Sequence, residues 1–188
     1  MVDRVLDIRS IPAYAAERRW RDIVELSTVS EQVDLLNETD TSLLIGEFAY
    51  YGKEQLIEIF LDRRGDPNFR CRDLRERTIY APIFESYPDS TPIGQSILGW
   101  HKGRFNTIPA LNLLLRVGAD PDLHTYSGYT PLQLSIVMDC YDHAKMLLEY
   151  GADPYKPSTD MDLPDSFYFA EESDWAVKLL TEWETNKQ

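Results

Sequence analysis

Basic residues are scarce in this 188-residue chain: 19 Lys and Arg stand against 32 Asp and Glu, a formal net charge of −13. Nucleic-acid affinity draws on counter-ion release by a basic face, so DNA or RNA is not an expected ligand. Cysteine is scarcer still. Cys71 and Cys140 form no C-x-x-C pair, which excludes a disulfide framework and points to a reducing, cytoplasmic setting. Apolar runs are only a few residues long, far below the roughly 20 that span a bilayer. The first residues, Met1-Val2-Asp3-Arg4-Val5-Leu6-Asp7, interleave charge with apolar side chains where a secretory leader needs a continuous apolar stretch. Phosphate-binding, nucleophile-elbow, zinc-protease and dinucleotide motifs are missing as well, so no catalytic residue and no cofactor is expected.

What the chain does contain is enough apolar character for a packed core, 43% of residues with 27% charged, and a recurring pattern. Residues 130–155 begin Thr130-Pro131-Leu132, pass through two short apolar-periodic segments to Leu147-Leu148, and end Gly151-Ala152-Asp153-Pro154. Upstream, Thr91-Pro92-Ile93, Leu113-Leu114-Leu115 and Gly118-Ala119-Asp120-Pro121 repeat the order. Gly52, Leu56-Ile57 and Gly65-Asp66-Pro67-Asn68 repeat it more loosely. Thr before Pro caps a helix start where the missing proline N–H costs nothing, and Gly after Leu-Leu closes a helix in the left-handed region.

This pattern resembles the ankyrin-repeat family over nearly the whole chain. The resemblance implies an all-α solenoid in one domain, 1–188, with units starting near 10, 43, 91, 130 and 163. The first and last would be degenerate caps. Asp139 stands where the family has Gly between paired helices. Two insertions follow from the register. One is an enlarged hairpin finger near 70–90, locally basic through Arg70, Arg72, Arg75 and Arg77. The other, Gly99-Trp100-His101-Lys102-Gly103-Arg104-Phe105, is expected to lengthen an inter-helix loop.

Two constellations invite a chemical reading. Cys140 and His143 are three apart, as a nucleophile and base on one helix face would be, but the register puts them at the start of an ordinary second helix, with a packed Cys and a surface His. Asp120-x-Asp122-x-His124 offers ligand types at alternate positions, yet Asp120 is the turn residue of the repeat. No metal site is expected.

Binding is the expected function. The resemblance implies a concave face built from hairpin tips and first-helix ends, and its slots hold Tyr50, Tyr51, Tyr87, Trp100, Tyr126, Tyr129, Val137 and Met138, bordered by Asp160, Asp162 and Glu171. Aromatic anchors inside a charged rim are the composition of an interface centre. Further slots fall on Ser42, Ser90, Leu98, Gly99 and Ala170. Truncating Tyr126, Tyr129 or Met138 is expected to impair binding while leaving the fold intact. The stretch 105–188 carries 14 acidic and 5 basic residues, which suits a protein partner with a basic surface. The expected protein is a cytoplasmic, monomeric, non-catalytic neutraliser of another protein, of the type of a toxin-immunity pair. The alternative is an adaptor or effector that links protein partners.

Overall fold

Thr91 and Thr130 each precede a proline, and each caps a helix. The Thr130 hydroxyl accepts from Gln133 N (3.2 Å) and the Gln133 amide oxygen accepts from Thr130 N (2.9 Å), a reciprocal capping box. Gln133 Nε2 then donates to the Lys156 carbonyl, 2.9 Å away, tying this helix start to the next hairpin. The computed structural model describes residues 17–28, 38–70, 89–159 and 165–187, with Ile11, Tyr14 and Leu36. Among them the helices are α1 (Trp20–Thr28), α2 (Glu38–Tyr50), α3 (Glu54–Leu61), α4 (Pro92–Gly103), α5 (Ile108–Arg116), α6 (Pro131–Val137), α7 (Tyr141–Glu149), α8 (Ser166–Ala170) and α9 (Asp174–Asn186). No strand occurs among the described residues. The fold is an all-helical stack of helix pairs, α2/α3 through α8/α9, with α1 ahead of them.

Apolar spacing explains the stacking. Phe48, Leu56, Ile57 and Phe60 of the first complete pair are buried, as are Ile97, Leu111 and Leu114 of the next, Leu132, Leu134, Ala144 and Leu147 of the third, and Ala176 and Leu180 of the last. These residues form one continuous core, because no pair is thick enough to bury its own apolar face. The turn inside each of the first three complete pairs, α2/α3, α4/α5 and α6/α7, holds a left-handed residue. Gly52 (φ 64°), Arg104 (φ 53°) and Asp139 (φ 56°) supply it, so Asp139 does take the glycine-like conformation its position required. Between α2 and α4 the backbones approach closely: a Cβ on Gly99 would overlap the Tyr50 carbonyl.

A polar ladder runs along the hairpins. Asp66, Asp120 and Asp153 each accept at Oδ1 from the backbone N–H two residues on (2.8, 2.8 and 2.9 Å). The side chain at that second position reaches the next unit: Asn68 Oδ1 accepts from Asp120 N (2.7 Å), and Asp122 Oδ1 from Asp153 N (2.9 Å). Tyr155 holds the equivalent place in the last hairpin. It stacks on Phe167 with ring centroids 5.3 Å apart and donates to Glu184. The repeated Gly/Ala-Asp-Pro motif therefore sets the stacking register as well as the local turn.

Three features differ from the sequence expectation. Gly99 to Gly103 lie inside α4, so the second insertion lengthens a helix rather than a loop; only four residues separate α4 from α5. The first helix of the α2/α3 pair begins at Glu38, five residues ahead of the start near 43. The last pair is capped by Asp165, whose carboxylate accepts from Phe167 N (3.1 Å) and Tyr168 N (3.3 Å), two residues past the expected 163. The 70–90 finger falls largely outside the described residues; its base is closed by an ion pair between Arg70 and Asp89, 2.7 Å.

Two stability predictions follow from this packing. Leu147 is fully buried, so Leu147→Ala should cost about 2–5 kcal/mol in a urea melt; a neutral result would mean that α7 does not pack as described. Glu47 of α2 is 7% exposed, and burial pushes its carboxyl up to about 8 from 4.5. A folded value above the unfolded one gives stability that is full below about pH 4.5 and lost as pH rises through 8. Glu47→Gln should therefore stabilise the protein at pH 9, on the order of 3 kcal/mol, and have little effect near pH 4.5. Equal effects at the two pH values would place the carboxyl in water.

Candidate functional site

The first-helix face opens into a groove where α6 meets α8. The end of α6 contributes Ile136 and Val137, the following turn Asp139, α8 contributes Tyr168 and Phe169, and the turn after it Glu171 and Glu172. The space measures about 570 Å³, within the roughly 300–1,000 Å³ common to ligand-holding clefts. Val137 is 44% exposed and Tyr168 47% exposed, and both line this groove. Phe169 is half-buried between Tyr129 (5.4 Å) and Tyr168 (5.5 Å), edge-on to both, so the floor is held rigidly. Asp139 is oriented by the Trp175 indole, which donates to its Oδ1 at 2.6 Å. Glu171 and Glu172 are exposed. An apolar, aromatic floor with a carboxylate rim is suited to binding.

Of the residues expected to meet a partner, this groove brings together Val137 and Glu171. Tyr129 lies beneath its floor. Tyr126 and Met138 are half-buried against the core, and the Met138 carbonyl is engaged by His101 Nδ1 at 2.8 Å. Tyr126, Tyr129 and Met138 are partly buried and packed against the core, so their truncation is expected to lower stability as well as to affect binding. Tyr50 and Tyr51 belong to a separate aromatic cluster at the turn end of α2. There Tyr51 packs on Trp20 (5.0 Å), Phe105 (5.0 Å) and Tyr50 (5.1 Å), while Lys53 lies 4.7 Å over Trp20 and Arg18 5.6 Å over Phe105. Trp100 is half-buried beside His143, 5.9 Å away. Ser42, Ser90, Leu98, Gly99 and Ala170 are buried and closed to any partner. Tyr87, Asp160 and Asp162 lie outside the described residues.

Sequence reasoning missed Tyr168 and Phe169 as floor residues and assigned Asp139 only a turn. The signal that could have found them is the cap at Asp165, a better helix start than Leu163. Counting from it puts Glu172, rather than Ala170, in line with Val137.

The two chemical constellations have structural roles. Cys140 is buried and donates to the Met138 carbonyl; burial pushes its thiol up to about 12, which removes thiolate character. His143 is buried rather than on the surface, with Nε2 2.9 Å from the Thr107 hydroxyl, and desolvation drops it to about 4. A neutral imidazole between stacked pairs is a packing group. Asp120 and Asp122 are the ladder acceptors described above, and His124 Nε2 meets the Pro157 carbonyl at 2.8 Å. The Asp120 side chain closes its own turn, and those of Asp122 and His124 link hairpin to hairpin.

Stacked helix pairs with hairpin ladders and a groove on the first-helix face define a helical-repeat solenoid. A family model described as ankyrin repeat matches residues 127–158, the unit of α6 and α7, and supports an ankyrin-repeat family for the chain. No curated protein matches it.

The state of Cys140 is testable. Iodoacetamide at pH 8 should leave Cys140 unmodified in the folded protein and alkylate it fully in denaturant, read by peptide mass. Rapid labelling under native conditions would restore it as a candidate nucleophile.

Proposed function

We propose that this chain is a non-catalytic protein-binding module that captures a basic partner on the first-helix face of its C-terminal units. The observation that carries this reading is the groove between α6 and α8, whose exposed Val137 and Tyr168 sit inside a rim of Asp139, Glu171 and Glu172. Interface centres take aromatic and apolar anchors, and charged rims steer association. The strong excess of acid in residues 105–188, 14 against 5, extends that steering beyond the groove. Ankyrin repeats are typically interaction modules without chemistry of their own.

The specific form of the proposal is a cytoplasmic protein, monomeric when free, that forms a stoichiometric complex with one partner and neutralises it, as in a toxin-immunity pair. The acidity of the chain and the groove between α6 and α8 support that form. Capture from native lysate should return one dominant basic protein in a one-to-one complex. Its association rate should fall steeply as salt rises, because steering acts over a Debye length of about 8–10 Å near physiological ionic strength. Val137→Asp should weaken the complex by at least about 2 kcal/mol with an unchanged melting temperature. A salt-independent rate, or full binding by Val137→Asp, would remove the reading.

A further inference from the structure

The groove on the first-helix face has a composition that selects more than a basic surface in general. We propose that it is a receptor for a single arginine side chain of the partner, with the alkyl stem on Val137 and Phe169, the guanidinium against the ring of Tyr168, and its N–H groups directed to Glu171 and Glu172. This deepens the protein-binding reading and rests on it.

Three observations lead there. The first is an unanswered charge. Between Lys156 and Lys178 the chain has no basic residue and six acidic ones, Asp160, Asp162, Asp165, Glu171, Glu172 and Asp174. Lys178 itself lies 3.9 Å from Glu182. Among the described residues no Lys or Arg lines the groove, so a cation that balances its rim comes from outside. The second is the floor. A hydrated ammonium gains little from apolar walls, whereas a guanidinium is weakly hydrated, stacks on aromatic faces and carries an apolar stem. Exposed Tyr168 beside exposed Val137 supplies both kinds of contact. The third is preorganisation. Phe169 is pinned between two tyrosine rings and Asp139 is held by Trp175, so the floor and one wall keep their shape before any ligand arrives. Carboxylates accept from a guanidinium in a fork geometry that an ammonium cannot reproduce.

The probe is the blocked tripeptide acetyl-Gly-Arg-Gly-amide, titrated into the full-length, isotope-labelled chain at low salt. Saturable NMR shifts should be confined to Val137, Tyr168, Phe169 and the 171–173 turn. The lysine analogue should bind more weakly, and the citrulline analogue, with the same shape and no charge, should not bind. The double variant Glu171→Gln/Glu172→Gln should lose about tenfold or more in affinity, as expected for two charge-assisted contacts, with an unchanged circular dichroism melt because both residues are exposed. Shifts scattered over the whole surface, equal binding of lysine or citrulline, or no effect of the double variant would each overturn the proposal. Its fate is separable from that of the protein-binding reading. A partner complex that forms although the tripeptide does not bind ends this inference alone, and a bound tripeptide with no partner complex ends the other alone.

Discussion

The structure depends on one constraint: a pair of short helices cannot bury its apolar face by itself. Every pair from α2/α3 to α8/α9 covers the face of its neighbour, and the buried residues join into one core. Burial alone would tolerate sliding, since apolar contact has no direction. Direction comes from the hairpins, where Asn68 and Asp122 each take a backbone N–H of the following unit. These contacts fix how far each pair is displaced from the last. The ladder ends at Tyr155, whose ring and hydroxyl turn instead to Phe167 and α9.

The departures from a regular repeat share a physical logic. Residues 99–103 continue α4 past the end of α2, and Gly99 lets the α2 backbone approach at Tyr50 where any side chain would collide. Asp139 accepts the cost of a left-handed backbone and in return orients the Trp175 indole. That bond shapes one wall of the α6/α8 groove. His143 gives up its proton to sit between α7 and the Thr107 turn, and Cys140 gives up thiolate character for a similar place. Groups that look reactive in isolation are here consumed by packing.

The groove differs from the aromatic cluster around Tyr51 in what remains open. At Tyr51 the rings contact one another and two cations of the same chain cover them. At Tyr168 the ring is half-exposed and the adjoining carboxylates have no basic side chain lining the same space. Aromatic content alone does not distinguish these two places. The charge left unbalanced beside the ring does.

Much of the fold was legible in the residues themselves. Thr-Pro starts, Leu-Leu ends and Gly/Ala-Asp-Pro turns are local signals, set by capping, proline geometry and left-handed backbone, and they placed the α4 and α6 starts and the hairpins correctly. The acidic excess and the absence of a thiol framework are likewise properties of composition. Two things were decided only in three dimensions. One is where an element starts or ends, as for α2 at Glu38 and α4 at Gly103, because that depends on contacts with segments distant in the chain. The other is which aromatic and polar residues stay exposed. Tyr129, Tyr50 and Met138 have the chemistry of interface anchors, yet each lies against a neighbouring element, while Tyr168 and Val137 do not. Exposure is the remainder after packing: the repeat register anticipated it at Val137 but not at Tyr168.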